Sequence, residues 1–154
     1  MITKYNNNGD DMKRFIIILL VTFGVVLIPT LFINFNTDML IKPPLFPPKI
    51  LFPVVWSILY ILMSISLYLS TKDDNDIYKI YGFQLIFNSL WSVLFFSFKL
   101  YLISIIDLVI LIFLVYIMIK EMSFKNKLSG YLQIPYIIWL LFALYLNVSI
   151  FILN

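Results

Sequence analysis

The sequence predicts an all-α integral membrane protein, with residues 1–154 forming a single domain, one bundle of five transmembrane helices. Three observations carry that prediction. Of the 154 residues, 62% are hydrophobic and 12% charged, and the mean hydropathy is +1.00; a soluble domain this short has too much surface per unit volume to hide such a load. Apolar runs long enough to cross a bilayer, about 20 residues each, recur along the chain between short polar breaks. Cysteine and histidine are both absent, which removes disulfides, thiolate metal sites, the commonest metal ligand, the usual general base and the usual axial ligands of haem. The net charge of +3 has a sufficient source in loop lysines. No polar segment joins a basic patch to interleaved aromatics, so nucleic acid is not an expected partner.

The first span is Phe15 to Ile33. Lys13 and Arg14 precede it as they would a signal peptide, but it is long for such a segment, lacks a small-residue cleavage site and is followed by further spans, so it is read as retained. A proline-rich loop, residues 36–51, follows. The segment "IKPPLFPPKILFPVVWSILY" holds five of the chain's seven prolines. Proline fixes φ and pushes its predecessor to extended geometry, so Lys42 to Pro48 should be a semi-rigid strap, while Pro53 suits the first turn of a helix. The second span is residues 52–70, ended by "TKDDND". The third is 77–98, and the break "FKLY" separates it from the fourth at 102–119. Reading 77–119 as one helix, and so counting four spans, is the alternative; such a helix would be roughly twice the bilayer thickness. "KEMSFKNK" closes the fourth span, and the fifth runs 128–153. No repeat and no broken helix is evident.

Loop charges give an orientation. Lys4, Lys13, Arg14, Lys72, Lys79, Lys120, Lys125 and Lys127 fall on one side; Lys42, Lys49 and Lys99 on the other. The N-terminus is therefore expected inside, with the strap and the C-terminus outside.

Polar groups at membrane depth are costly and must find partners, which makes them informative. In the third span Gln84, Asn88, Trp91 and Phe95 recur at helical spacing on one face. The fifth places Pro135, Trp139, Ala143 and Asn147 on a shared face, and the second contributes Trp56 with Tyr60 and Met63. Asp107 is the only carboxylate clearly inside a span. Two readings of these residues stand side by side. The faces converge on a pocket lined by aromatics and tipped with amides, or Trp56 is an interfacial anchor, Gln84 and Asn88 are interhelical glue, Asp107 is a structural acid and Pro135 only kinks its helix.

At these residues the sequence resembles the translocator protein family (TspO, peripheral benzodiazepine receptor, tryptophan-rich sensory proteins). "KPPLFPPK" resembles the family's Lys-Pro-x-Trp-x-Pro-Pro loop, and "VVWSILY" its Trp-(Ser/Thr)-x-Leu-Tyr opening of the second helix. "QLIFNSLWSVLFF", "IID" at 105–107 and "IPYIIWLLFALYLN" resemble its third-, fourth- and fifth-helix elements, in order and at the right spacing over Lys42 to Asn154. The resemblance implies a homodimeric five-helix fold in a bacterial cell membrane, with a pocket beneath the first loop. It implies binding of porphyrins, protoporphyrin IX being the expected ligand with no obligatory cofactor, and light-dependent porphyrin breakdown through pocket tryptophans. Carried over residue by residue, it makes Trp56, Asn88 and Trp139 pocket residues, Trp56 and Trp139 the photochemical ones. Trp91, Phe95, Ala143 and Asn147 rank second, with Pro47 and Leu45 on the loop. Leu45 replaces the family's loop tryptophan. "LNVSIFILN" has neither the tyrosine nor the basic residue of the C-terminal cholesterol pattern, so sterol recognition is not expected.

A porphyrin is a flat apolar disc with two carboxylates at one edge. It calls for aromatic faces, aliphatic walls and a few donors at the mouth. Trp56, Trp139 and Asn88 supply these, and Lys42 or Lys49 could meet the carboxylates. No metal site is expected. No acid–base or nucleophilic constellation is present, so a conventional enzyme is not expected. Three function classes stay open: a tetrapyrrole receptor or sensor, a transporter of small hydrophobic molecules, and an interaction protein with a vestigial pocket.

Overall fold

The computed structural model describes residues 7–32, 40–71 and 75–154. Ile33, the loop residues 36–39, Lys4 and Lys72 lie outside the described residues. Their regular secondary structure is all helical, without a β-strand: α1 (Asn7–Leu27), a short 3-10 turn (Pro29–Phe32), α2 (Leu51–Ser70), α3 (Asn75–Ser92) continued by a π-helical turn (Val93–Ser97), α4 (Tyr101–Lys125), α5 (Lys127–Leu132) and α6 (Ile134–Leu153).

Helix α1 stops at Leu27 because Pro29 has no N–H to give to the carbonyl of Val25. That carbonyl instead accepts the Ser89 hydroxyl of α3 at 3.0 Å. Further up, the Thr22 hydroxyl meets the Tyr81 hydroxyl at 2.7 Å, so α1 is tied to α3 twice. At its start Arg14 reaches the end of α2, donating to the carbonyls of Thr71 and Tyr68 at 3.0 and 2.9 Å while its guanidinium lies 4.7 Å from the Tyr68 ring centroid. The last carbonyls of a helix have no partners within it and carry the negative end of its dipole, so a cation is well placed there.

Residues 51–70, 76–97, 101–125 and 127–153 are long and apolar enough to cross a membrane. Helix α1 does not meet that measure, because Asp10, Asp11, Lys13 and Arg14 occupy its first turns and leave only residues 15–27 apolar. Of the five spans expected from sequence, four therefore stand on length and composition among the described residues. The helices divide at "FKLY", and the single-helix alternative for 77–119 is overturned. The π turn brings Phe98 N–H to the Val93 carbonyl (3.1 Å) and Leu100 N–H to that of Leu94 (3.0 Å). Lys99 then reverses the chain with φ 54°, a left-handed cap usually given to glycine.

Two boundaries need correction. The fourth helix does not end at Ile119 but runs to Lys125, since charged residues that have passed the apolar layer are still good helix formers. Only Asn126 separates it from α5, its side chain capping the N–H of Leu128 at 3.0 Å. The fifth span is interrupted at Gln133, two residues before Pro135, which occupies the first turn of α6, where its lacking N–H costs least. At the start of this span packing is close. Ser66 and Ser129 exchange hydroxyl-to-carbonyl bonds of 2.6 and 2.7 Å, and a Cβ on Gly130 would collide with Ser123. The core collects Met63 and Leu67 of α2, Leu85 of α3, Leu108, Leu111, Val115, Met118 and Met122 of α4, and Tyr136 and Leu140 of α6.

Candidate ligand-binding site

The ends of α1, α2, α3 and α6 leave between them a cavity of about 430 Å³, with the proline-rich strap on its rim. Small-molecule sites run from about 300 to 1,000 Å³. Helix α1 contributes Val26 and Leu27, and the strap Phe46 and Lys49. Phe52, Pro53, Trp56, Ser57 and Tyr60 come from α2, and Trp91, Ser92, Phe95 and Phe96 from α3 and its π turn. From α6 come Trp139, Phe142, Ala143, Leu146, Asn147 and Ile150. All three tryptophans of the chain are thus in the lining, and Lys49 is its one charged residue.

Trp56 is the hub of the aromatic lining. Its ring stacks on Tyr60 (5.4 Å between centroids, 25°), lies tilted to Trp91 (6.1 Å, 39°) and stands perpendicular to Trp139 (6.5 Å, 89°). Trp91 in turn stacks on Phe95 at 5.9 Å and 22°. Such offset and edge-on contacts favour aromatic pairs beyond the area they bury. Phe52 and Tyr60 sit one helical turn before and after Trp56, which places the three on one face of α2.

The amides do not tip this cavity as the spacing suggested. Asn88 is absent from the lining and buried beneath it. Its Oδ1 accepts from the Tyr60 hydroxyl (3.3 Å), and its Nδ2 donates to that of Tyr136 (2.9 Å). Tyr136 donates onward to Gln84 Oε1 at 2.9 Å. Asn147 does line the cavity, but its Oδ1 accepts from Trp91 Nε1 (3.2 Å) and Ser104 Oγ (3.0 Å), and its Nδ2 donates to the Ala143 carbonyl (2.8 Å). Both asparagines are therefore committed to the protein. Among the described residues the indole N–H groups of Trp56 and Trp139 have no such partner. Asp107 is buried on α4, away from the lining, and neither of its carboxyl oxygens meets a hydrogen bond among the described residues.

Of the residues singled out in the sequence, the structure gathers Trp56, Trp91, Phe95, Trp139, Ala143 and Asn147 around one space. Asn88, Leu45 and Pro47 stand outside it. Pro47 is buried and Leu45 exposed. The strap instead turns Phe46 and Lys49 to the cavity. Phe46 was not legible, because which side of a non-periodic strap faces inward depends on its turn. Phe52 was, four residues before Trp56. Ser104 had no signal before its partner Asn147 was placed.

The sequence profile of the TspO/MBR family matches residues 15–153. The tryptophan-rich protein TspO of Archaeoglobus fulgidus is 36% identical over 117 residues, 73% of this chain and 76% of its own. That of Bacillus cereus is 28% identical over 156 residues, 92% of this chain and 97% of its own. The tryptophan-rich sensory protein of Cereibacter sphaeroides is 30% identical over 119 residues, 76% and 75% of the two chains. With a profile match over nearly its whole length, and a helical membrane fold enclosing a cavity lined by all its tryptophans, the chain belongs to the TspO/MBR family of integral membrane proteins.

Proposed function

We propose that this protein is a membrane receptor that holds a porphyrin, or a similar flat apolar molecule, in the cavity between α1, α2, α3 and α6. The observation that carries the reading is the lining itself: three indoles and five phenylalanine rings, with the amides withdrawn into the protein and two indole N–H groups left for a ligand's acceptors. An apolar enclosure with few polar groups selects shape first and orients by those few. Lys49 on the rim suits an acidic edge of the ligand. The name of the C. sphaeroides relative, a sensory protein, supports a sensing role.

In this reading α1 also crosses the membrane, as the first of five transmembrane helices, the N-terminus lies on the inner side of a bacterial cell membrane with the strap outside, and two copies pair. Light-driven breakdown of the bound porphyrin would proceed by electron exchange between the photoexcited macrocycle and the indole of Trp56 or Trp139. The interruption at Gln133 sits one helical turn and a half into its span, away from the cavity, and gives no support to a coupled-transport reading.

Titration of purified protein with protoporphyrin IX, followed by quenching of tryptophan fluorescence, tests the ligand. Saturable quenching at micromolar or tighter concentration is expected, weakened at least several-fold in Trp139→Phe; quenching no stronger than in a bilayer control removes the proposal. Illumination of the complex tests the chemistry. If Trp56→Phe and Trp139→Phe bleach the porphyrin at the wild-type rate, the indoles take no part in it.

A further inference from the structure

The strap is fastened to α6 at two separated points. At the first, the Asn154 side chain grips the backbone of Ile41 from both sides. Its Oδ1 accepts the Ile41 N–H at 2.9 Å, and its Nδ2 donates to the Ile41 carbonyl at 3.2 Å. That is the pairing a neighbouring β-strand would offer, supplied by one amide. Nδ2 also donates to the Ile150 carbonyl at 3.0 Å, which holds the amide in the orientation the grip needs. At the second point the Tyr145 hydroxyl, two turns earlier on α6, donates to the Pro44 carbonyl at 2.9 Å.

Between and beyond these points the strap is shaped by a tight turn. Phe46 N–H returns to the Pro43 carbonyl at 3.2 Å. Pro44 fixes the second position and Leu45 takes the third with φ 67°, the pattern of a type II turn that asks for glycine or asparagine there. Leucine in that conformation is strained. The turn delivers Phe46 to the cavity, where it packs on Phe52 at 6.1 Å, and Phe52 packs on Trp139 at 6.1 Å.

We propose that Tyr145 and Asn154 are positioning residues that latch the strap, and that releasing them is the step which opens the cavity to water-soluble molecules. The Asn154 bonds lie at the very end of the fifth span on exposed or partly buried groups, where water replaces them at little cost. The Tyr145 bond lies two turns inside the span and is the firmer of the two. The strained turn opposes closure and the ring contacts favour it. A cover balanced in this way exchanges readily between closed and open. Proline keeps the strap's own entropy gain on release small, so the latch rather than disorder of the strap sets the balance. The inference shares the cavity with the porphyrin reading but does not depend on that ligand.

The chain has no cysteine, so a single reporter thiol can be placed at Ala143, which is 5% exposed and lines the cavity. A charged, water-soluble methanethiosulfonate reagent cannot arrive through lipid and reports opening directly. In the Ala143→Cys background, Tyr145→Phe and Asn154→Ala should each speed labelling, and together by about fivefold or more, as loss of three weak hydrogen bonds implies. Release of protoporphyrin IX, where bound, should accelerate in parallel. Labelling within twofold of the parent in the double variant overturns the latch. Accelerated labelling without porphyrin binding supports the latch and strikes only the ligand reading. Both substituted side chains sit at the surface, so folding is not at stake, and an unchanged melting temperature checks that.

Discussion

Replacing Asn88 by alanine distinguishes an amide that meets ligand from one that holds tyrosines in place. The substitution removes the bonds to Tyr60 (3.3 Å) and Tyr136 (2.9 Å). Tyr136 keeps a partner in Gln84, so only the Tyr60 hydroxyl is orphaned. Interhelical hydrogen bonds in membrane proteins average about 0.6 kcal/mol, and an orphaned buried hydroxyl costs about 1 kcal/mol or more. Asn88→Ala should therefore destabilise the fold by about 2 kcal/mol, roughly a thirtyfold fall in the folded-to-unfolded ratio. A double-mutant cycle with Tyr60→Phe should return a coupling of about 0.6 to 1.7 kcal/mol. Reversible unfolding in mixed micelles measures both, beside a protoporphyrin IX titration of each variant. Affinity should fall less than stability, since the lost amide lies behind the lining and acts only through the two phenols. A tenfold loss of affinity with unchanged stability would refute this reasoning and return Asn88 to the ligand.

Three further outcomes follow from the geometry. Gly130→Ala drives a methyl into Ser123 and should cost about 1–3 kcal/mol, much of it recovered by a second change, Ser123→Gly, in thermal unfolding. Arg14→Gln removes two charge-assisted bonds and a ring contact at the end of α2; a loss of about 1.5–3 kcal/mol is expected, with Arg14→Lys recovering little because one ammonium lacks the fork that reaches both carbonyls. Leu45→Asn relieves the left-handed leucine and should stabilise by about 0.5–1 kcal/mol; a lowered melting temperature would show that the turn is not built as described.

The sequence announced the helices more clearly than their ends. The apolar runs located α2, α3 and the start of α4 to within about two residues, and the outer limits of the fifth span likewise, because a bilayer sets a minimum length for a span. A rule that ends a helix at charge stopped α4 at Ile119, yet hydrogen bonding and propensity carry it to Lys125. Pro135 leaves its mark on the turn before it, at Gln133, since it has no N–H for the carbonyl of Tyr131. Spacing grouped Trp56, Trp91, Trp139 and Asn147 on the helix faces that line the cavity. What spacing could not disclose is where a side chain's hydrogen bonds go. Asn88 and Asn147 look alike along the chain, and one lies behind the lining while the other belongs to it. Periodicity also fails on the strap, where a single turn at Leu45 decides that Phe46 faces inward and Leu45 does not.

The π turn at Val93–Ser97 bears on how the cavity can be altered. A wider turn accommodates one more residue than an α-helix would, so consecutive side chains are drawn toward the same side. Phe95 and Phe96 both line the cavity, with their rings 4.9 Å apart and at 82° to one another, and both touch Trp91. Deleting one residue from this turn would restore an ordinary helix and leave everything before Trp91 in register. The positions of Phe95 and Phe96 relative to Trp91 would then change, and with them the wall of the chamber, without any aromatic residue having been replaced. Variation in the length of this turn is thus a way to resize the chamber that a comparison of lining residues alone would overlook.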